Sequence, residues 1–274
     1  MSVMLRPLTL GELLDRAFQL YRSRFAVFVG IAAVAYLPLF VIQTATLWAP
    51  KTLSASAAAA VSVGFLVALV LRLLGLAAAN SATIMVVSAA YLERPITLRE
   101  AYGQVSGMLL RVFFIMIGMG IGIAVGLVLF VIPGVVLFLM WALAIPVAVL
   151  EDAGLGESLS RSRQLTAGHR FRVFAIYLLY FALVFALEFG LLVPLGAVIG
   201  LKGGGVAGAS ALLPVISVLS AVLSYVIECL VTPILTISLS LMYYDERVRK
   251  EAFDIHLMMS ALGESAAESA AAAT

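Results

Sequence analysis

Residues 8–48 read LTLGELLDRAFQLYRSRFAVFVGIAAVAYLPLFVIQTATLW, and two kinds of helix are written into this one stretch. Up to Arg24 the apolar residues Leu10, Leu13, Leu14, Ala17, Phe18 and Tyr21 recur at helical spacing, with Glu12, Asp15, Arg16, Gln19 and Arg22 on the other face. From Phe25 to Trp48 no charged residue occurs, and the run is long enough to cross a bilayer core of about 30 Å, which takes roughly 20 helical residues. The pattern predicts a two-faced helix lying along a membrane surface, followed by one that goes through it.

The rest of the chain repeats this theme. Of 274 residues, 64% are hydrophobic and 12% charged, too apolar for a soluble globule of this length. Further apolar runs cover Ser54–Leu92, Leu109–Ile132, Gly134–Leu150, Phe171–Val193 and Ala209–Tyr244, making six spans with the first. The second and sixth exceed the core thickness and are expected to tilt or kink, with Pro233 a cause in the sixth and Pro146 one in the fourth. Pro133-Gly134 predicts the turn between spans three and four, and Gly203–Gly205 a loop. The expected fold class is therefore all-α: a polytopic helical membrane bundle of six transmembrane helices.

Charge gives the bundle two different ends. With six crossings, every basic residue except Lys51, Lys202 and Arg72 falls at one end, which the positive-inside rule assigns to the cytoplasm together with both termini. The N-terminal segment, with Arg6, Arg16, Arg22 and Arg24 ahead of the first run, is not expected to be a cleaved leader. The expected location is a bacterial inner membrane.

Three segments at that end resemble one another: Leu8–Phe25, Ile96–Phe113 (ITLREAYGQVSGMLLRVF) and Ala153–Phe174 (AGLGESLSRSRQLTAGHRFRVF). Thr9 with Glu12, and Thr97 with Glu100, read as capping boxes; Gly154 with Glu157 is the weaker third copy. This predicts a loose internal repeat of three interfacial amphipathic helices, starting near residues 8, 96 and 153, each followed by a helical hairpin. Residues 1–262 read as one membrane domain. It closes with a cytoplasmic helix over Asp245–Leu262, and residues 263–274 read as a disordered Ala/Ser tail.

Three ionisable residues lie inside spans: Arg72, Glu188 and Glu228. At about 1.5 Å per residue they sit about 24–30 Å from the basic end, all at a similar height. Charges there need partners, so Arg72 is expected to contact Glu188, Glu228 or both, either as a clamp between helices or as the lining of a path. Asn80, deeper, is expected to hydrogen-bond between helices. Gly118, Gly122 and Gly126 share one helix face, a groove for a neighbouring helix or for a second copy in a homo-oligomer. At the basic end Arg16, Arg22, Arg24, Arg161, Arg163, Arg170 and Arg172 are candidates to face anionic lipid or an acidic partner protein.

Chemistry-bearing motifs are absent. The histidines His169 and His256 have no partners at zinc-ligand spacing, and the lone Cys229 excludes a disulfide framework. No phosphate-binding glycine loop or nucleophile elbow occurs, and no cofactor is expected. A net charge of +2 without a basic aromatic module argues against nucleic acid as a partner.

The segment Leu8–Phe25, the Ile132-Pro133-Gly134 triplet, AIPVAVLEDAGLGESLSRSRQLTAGHRFRVF (Ala144–Phe174) and MYYDERVRKEAFDIHLM (Met242–Met258) together resemble the glycerophosphoryl diester phosphodiesterase membrane-domain family. The resemblance implies a multi-helix membrane module that in some members precedes a separate catalytic barrel. No barrel or barrel-type metal ligands are expected within this chain, so phosphodiesterase activity is not expected. The resulting expectation is a non-enzymatic integral membrane protein engaging lipid or a partner protein through its cytoplasmic helices. The alternative is a transporter or permease component using Arg72, Glu188 and Glu228.

Overall fold

The computed structural model describes residues 8–47, 55–92, 94, 96–202 and 206–251. Within them the chain is all-helical: α1 (Leu10–Ser23), α2 (Phe25–Leu47), α3 (Ala55–Tyr91), α4 (Leu98–Val105), α5 (Leu109–Leu129), α6 (Val131–Met140), α7 (Ala144–Leu150), α8 (Leu155–Thr166), α9 (Arg170–Lys202) and α10 (Val206–Glu251). Six stretches are long and apolar enough to cross a membrane: α2, α3, α5, α6 with α7, α9 and α10. Helix is the form that satisfies every backbone amide within its own segment, which lipid requires. Side chains on these helices stay bare where lipid would lie, as with Phe65, Phe114 and Phe185.

The three short helices begin as their sequences indicate. Thr9 and Thr97 each accept a hydrogen bond from the amide three residues on, and the carboxylates of Glu12 and Glu100 in turn accept one from the capping residue's own amide at 2.8 Å. Gly154 caps α8 without a side-chain bond. Each helix then packs on protein. α1 buries Leu13, Ala17 and Tyr21 against α10 rather than offering that face to the interface. Leu8 meets Asp245 at one end and Tyr21 donates to the Leu230 carbonyl at the other, so α1 runs lengthwise along α10. Only its flank, with Phe18 exposed to 39%, remains for lipid.

α3 and α10 form the axis of the bundle. Arg72 bonds Glu228 and Asn80 bonds Thr236, both pairs 156 residues apart, and the rings of Tyr91 and Tyr244 stack at 4.6 Å. The constant offset means that the two helices run parallel. α10 continues unbroken through Pro233 to Glu251, so the segment from Asp245 is the end of a spanning helix and not a separate one. The remainder of the expected terminal helix, the Ala/Ser tail, His256, Lys51 and Gly203–Gly205 lie outside the described residues.

Two expectations about the fourth span shift. The turn after α5 falls at Phe130, three residues before Pro133, which sits in the first turn of α6. Gly134 is instead the contact surface: its Cα lies 3.0 Å from where a Cβ on Gly126 would be. The groove of α5 is filled from within the chain, with Gly118 under Leu155, Gly122 under the Trp141 ring and Gly126 under Gly134. The fourth span is also broken outright between Met140 and Ala144, upstream of Pro146, whose ring is incompatible with a continuous ladder there.

α8 repairs that break. Ser158, Ser162 and Thr166, spaced by four, put a polar stripe on its buried face. Ser162 donates to the Met140 carbonyl at 2.8 Å and accepts from the Leu143 amide at 3.1 Å, while Thr166 donates to the same carbonyl at 3.2 Å. Backbone groups released by the break thereby regain partners away from water.

Candidate functional site

A cavity of about 270 Å³ lies inside the bundle between α2, α3, α5, α7, α9 and α10. Its lower wall is apolar: Ile84, Met116, Met119, Ile145 and Leu239. Its upper wall carries the polar groups, brought together by the α3–α10 register. Arg72 Nη2 donates to Glu228 Oε1 at 2.8 Å, with the arginine side chain 50% and the glutamate 32% exposed. One and two turns further along, Thr232 and the Asn80–Thr236 bond of 2.7 Å follow. Tyr36, Tyr177 and Tyr180 close the sides. The Tyr36 hydroxyl is buried, with Glu228, Thr232, Tyr180 and Arg72 the polar groups around it.

Glu188 does not enter the ion pair. It stands further along α9, half-buried, close enough to act electrostatically on Tyr180. Of the three intramembrane charges named from sequence, two therefore meet and the third stands beside them. The tyrosines and threonines were not singled out beforehand, although one signal was present. Arg72 and Asn80 are separated by eight residues, and so are Glu228 and Thr236, which puts a matched polar pair on one face of each helix.

Below the cavity the opposite end of the bundle is sealed by a seam of ion pairs. Arg172 Nη1 donates to Asp245 Oδ2 at 2.7 Å and to Glu246 Oε1 at 2.9 Å, and its Nη2 reaches the Leu8 carbonyl at 3.0 Å. Arg249 also holds Asp245 and Leu8, at 2.9 and 2.6 Å. Glu246 is fully buried, with His169 Nδ1 at 2.9 Å. Arg161 bridges Glu151 and Glu251, Tyr243 donates to Glu151 at 2.8 Å, and Lys250 caps α8 on the carbonyls of Gln164, Leu165 and Ala167. Arg111 pairs with Asp152 at 2.5 Å and holds that carboxyl below its ordinary range. The bonds from Thr97 do the same for Glu100. Burial pushes the hydroxyls of Tyr21 and Tyr102 up to about 12.

This seam changes the list of arginines that face outward. Arg161 and Arg172 turn inward, because acidic residues at the end of α10 and after α7 come within reach only in the folded bundle. Arg24 gives a hydrogen bond to the Arg94 carbonyl at 3.3 Å. Arg16, Arg22 and Arg163 are exposed and Arg170 half-buried. Among the described residues no group of three His, Cys, Asp or Glu side chains is placed to hold a metal ion.

A family model described as the membrane domain of glycerophosphoryl diester phosphodiesterase matches residues 112–268. The match takes in α5 to α10 and begins after the Leu8–Phe25 motif. No curated protein and no solved structure matches the chain.

Proposed function

Because the chain belongs to the family of glycerophosphoryl diester phosphodiesterase membrane domains, we propose that it works without catalysis, as a membrane-resident module whose basic face engages anionic lipid or an acidic partner protein. In this reading it sits in a bacterial inner membrane with the ion-paired end in the cytoplasm. One observation carries the proposal. The seam neutralises its own acids, yet Arg16, Arg22, Arg24, Arg94, Arg99, Arg163 and Arg170 form no ion pair among the described residues. Juxtamembrane basic residues of this kind are each attracted to an anionic leaflet by about 1 kcal/mol.

The test is thermal unfolding in nanodiscs. Wild-type protein should melt higher in phosphatidylglycerol-containing discs than in purely zwitterionic ones, and an Arg16→Gln, Arg22→Gln, Arg163→Gln variant should lose most of that difference. Equal melting in both lipids, with no protein co-purifying through these arginines, would remove the proposal. Orientation is read from a reporter placed after Glu251, which should stay cytoplasmic.

The cavity supports a second reading, a transport component built on Arg72, Glu188 and Glu228. Against a through-path in this state, the cavity floor at Leu239 is followed by the fully buried Met242 and Tyr243. Flux into proteoliposomes that disappears with Glu228→Gln would favour this reading.

A further inference from the structure

The cavity and the basic face lie at opposite heights, and the cavity has a chemistry of its own. We propose that it binds one phospholipid with an amine-bearing head group, its phosphate on Arg72, its ammonium on Glu228 and one acyl chain in the apolar channel below. Four observations lead there.

The first is depth. Arg72 is nineteen residues from Tyr91, about 29 Å of helix, and nine from Val63 at the other end of the apolar span, so it stands in the half of the membrane opposite the ion-paired end. With the orientation proposed above, that is the outer leaflet. The second is shape. From Glu228 to Leu239 the cavity descends eleven residues of α10, about 16 Å, between Ile84, Met119 and Leu239. A charged mouth, polar groups at Thr232 and the Asn80–Thr236 bond, and an apolar floor below them match a lipid standing in its own leaflet. Methionine lining adapts to a flexible chain.

The third is charge. Arg72 and Glu228 are joined through one N–H of the guanidinium, and both side chains are partly exposed at the mouth. A guanidinium has five N–H donors, so a phosphate takes up those that the carboxylate leaves. A zwitterionic head offers each member of the pair the opposite charge and keeps the site neutral. A purely anionic head would displace Glu228 and leave it uncompensated at this depth. The fourth is the Tyr36 hydroxyl, buried beside the pair with Thr232 and Tyr180 around it. A head-group oxygen at the mouth offers this hydroxyl an acceptor.

The test uses the full chain purified into nanodiscs, with native mass spectrometry of retained lipid and phosphatidylethanolamine or phosphatidylglycerol as the probe. Phosphatidylethanolamine should be retained preferentially. Glu228→Gln, which keeps an acceptor for Arg72, should weaken its retention about tenfold, the effect of losing one charge-assisted hydrogen bond. Met119→Trp, which fills the channel and leaves the head pair intact, should abolish it. Arg16→Gln should leave it unchanged, which separates this site from the basic face. Equal retention of the two lipids, or retention by both variants as strong as wild type at unchanged melting temperature, would overturn the proposal.

Discussion

Thr236 donates its hydroxyl to Asn80 Oδ1 at 2.7 Å, eight residues along both helices from the 2.8 Å pair of Arg72 and Glu228. The two contacts are rungs between parallel helices, and together they hold α3 and α10 in one register around the cavity. Hydrogen bonds between membrane helices average about 0.6 kcal/mol in double-mutant cycles. Asn80→Ala and Thr236→Val should therefore each destabilise by about 1 kcal/mol, with a coupling between about 0.5 and 1.7 kcal/mol in reversible unfolding from mixed micelles. A coupling of zero would show that the rung carries nothing.

The α8 stripe makes a stronger demand. Ser162→Ala deprives the Leu143 amide of its acceptor and the Met140 carbonyl of one of its two donors. A buried backbone group left without a partner costs about 1–3 kcal/mol. Melting temperature should fall clearly, whereas Ser160→Ala on the exposed side of the same helix should be silent. If both substitutions behave alike, α8 does not suture the break.

Arg172 touches two buried acids and a backbone carbonyl. Removing one partner from a buried ionic group costs about 3–5 kcal/mol, because the remaining charges stay dry. Arg172→Gln should sharply lower the yield of folded protein. Arg172→Gln with Glu246→Gln should recover part of it, as measured by fluorescence-detected size exclusion.

Asp152 gives the acid limb of stability. Arg111 depresses its carboxyl below the ordinary 3.8, so its contribution is present above that value and is lost as pH falls through the depressed one. Asp152 also holds φ at +57°, a conformation that asparagine tolerates. Asp152→Asn should melt lower than wild type at pH 7, with the gap narrowing as pH falls below 3.8 and through the depressed value. A gap that persists once the Asp152 carboxyl of the folded protein is protonated would assign the effect to the backbone rather than to the charge.

Gly134 leaves no space. A methyl group there would lie 2.6 Å from the Leu127 backbone nitrogen, so Gly134→Ala must push α5 and α6 apart. Overpacking of this kind costs about 1–3 kcal/mol. The same change at Gly120, which has open space beside it, should be neutral.

The short-range features were legible in the residues alone. The Thr9–Glu12 and Thr97–Glu100 caps, the uncharged runs and the one-sided arginines follow from chemistry acting over one helical turn or from residue counts along the chain. The matched spacing in α3 and α10 was also readable, but not which helix would meet which, since the partners are 156 residues apart. Arg161 and Arg163 look alike in sequence, yet one turns to Glu151 and Glu251 while the other stays exposed. The membrane-spanning helices were thus readable from composition and local pattern, because lipid acts on each segment separately. The tertiary structure decided which charges are consumed, how the broken span is repaired and where a cavity remains. Each of those depends on groups that meet only when distant helices pack.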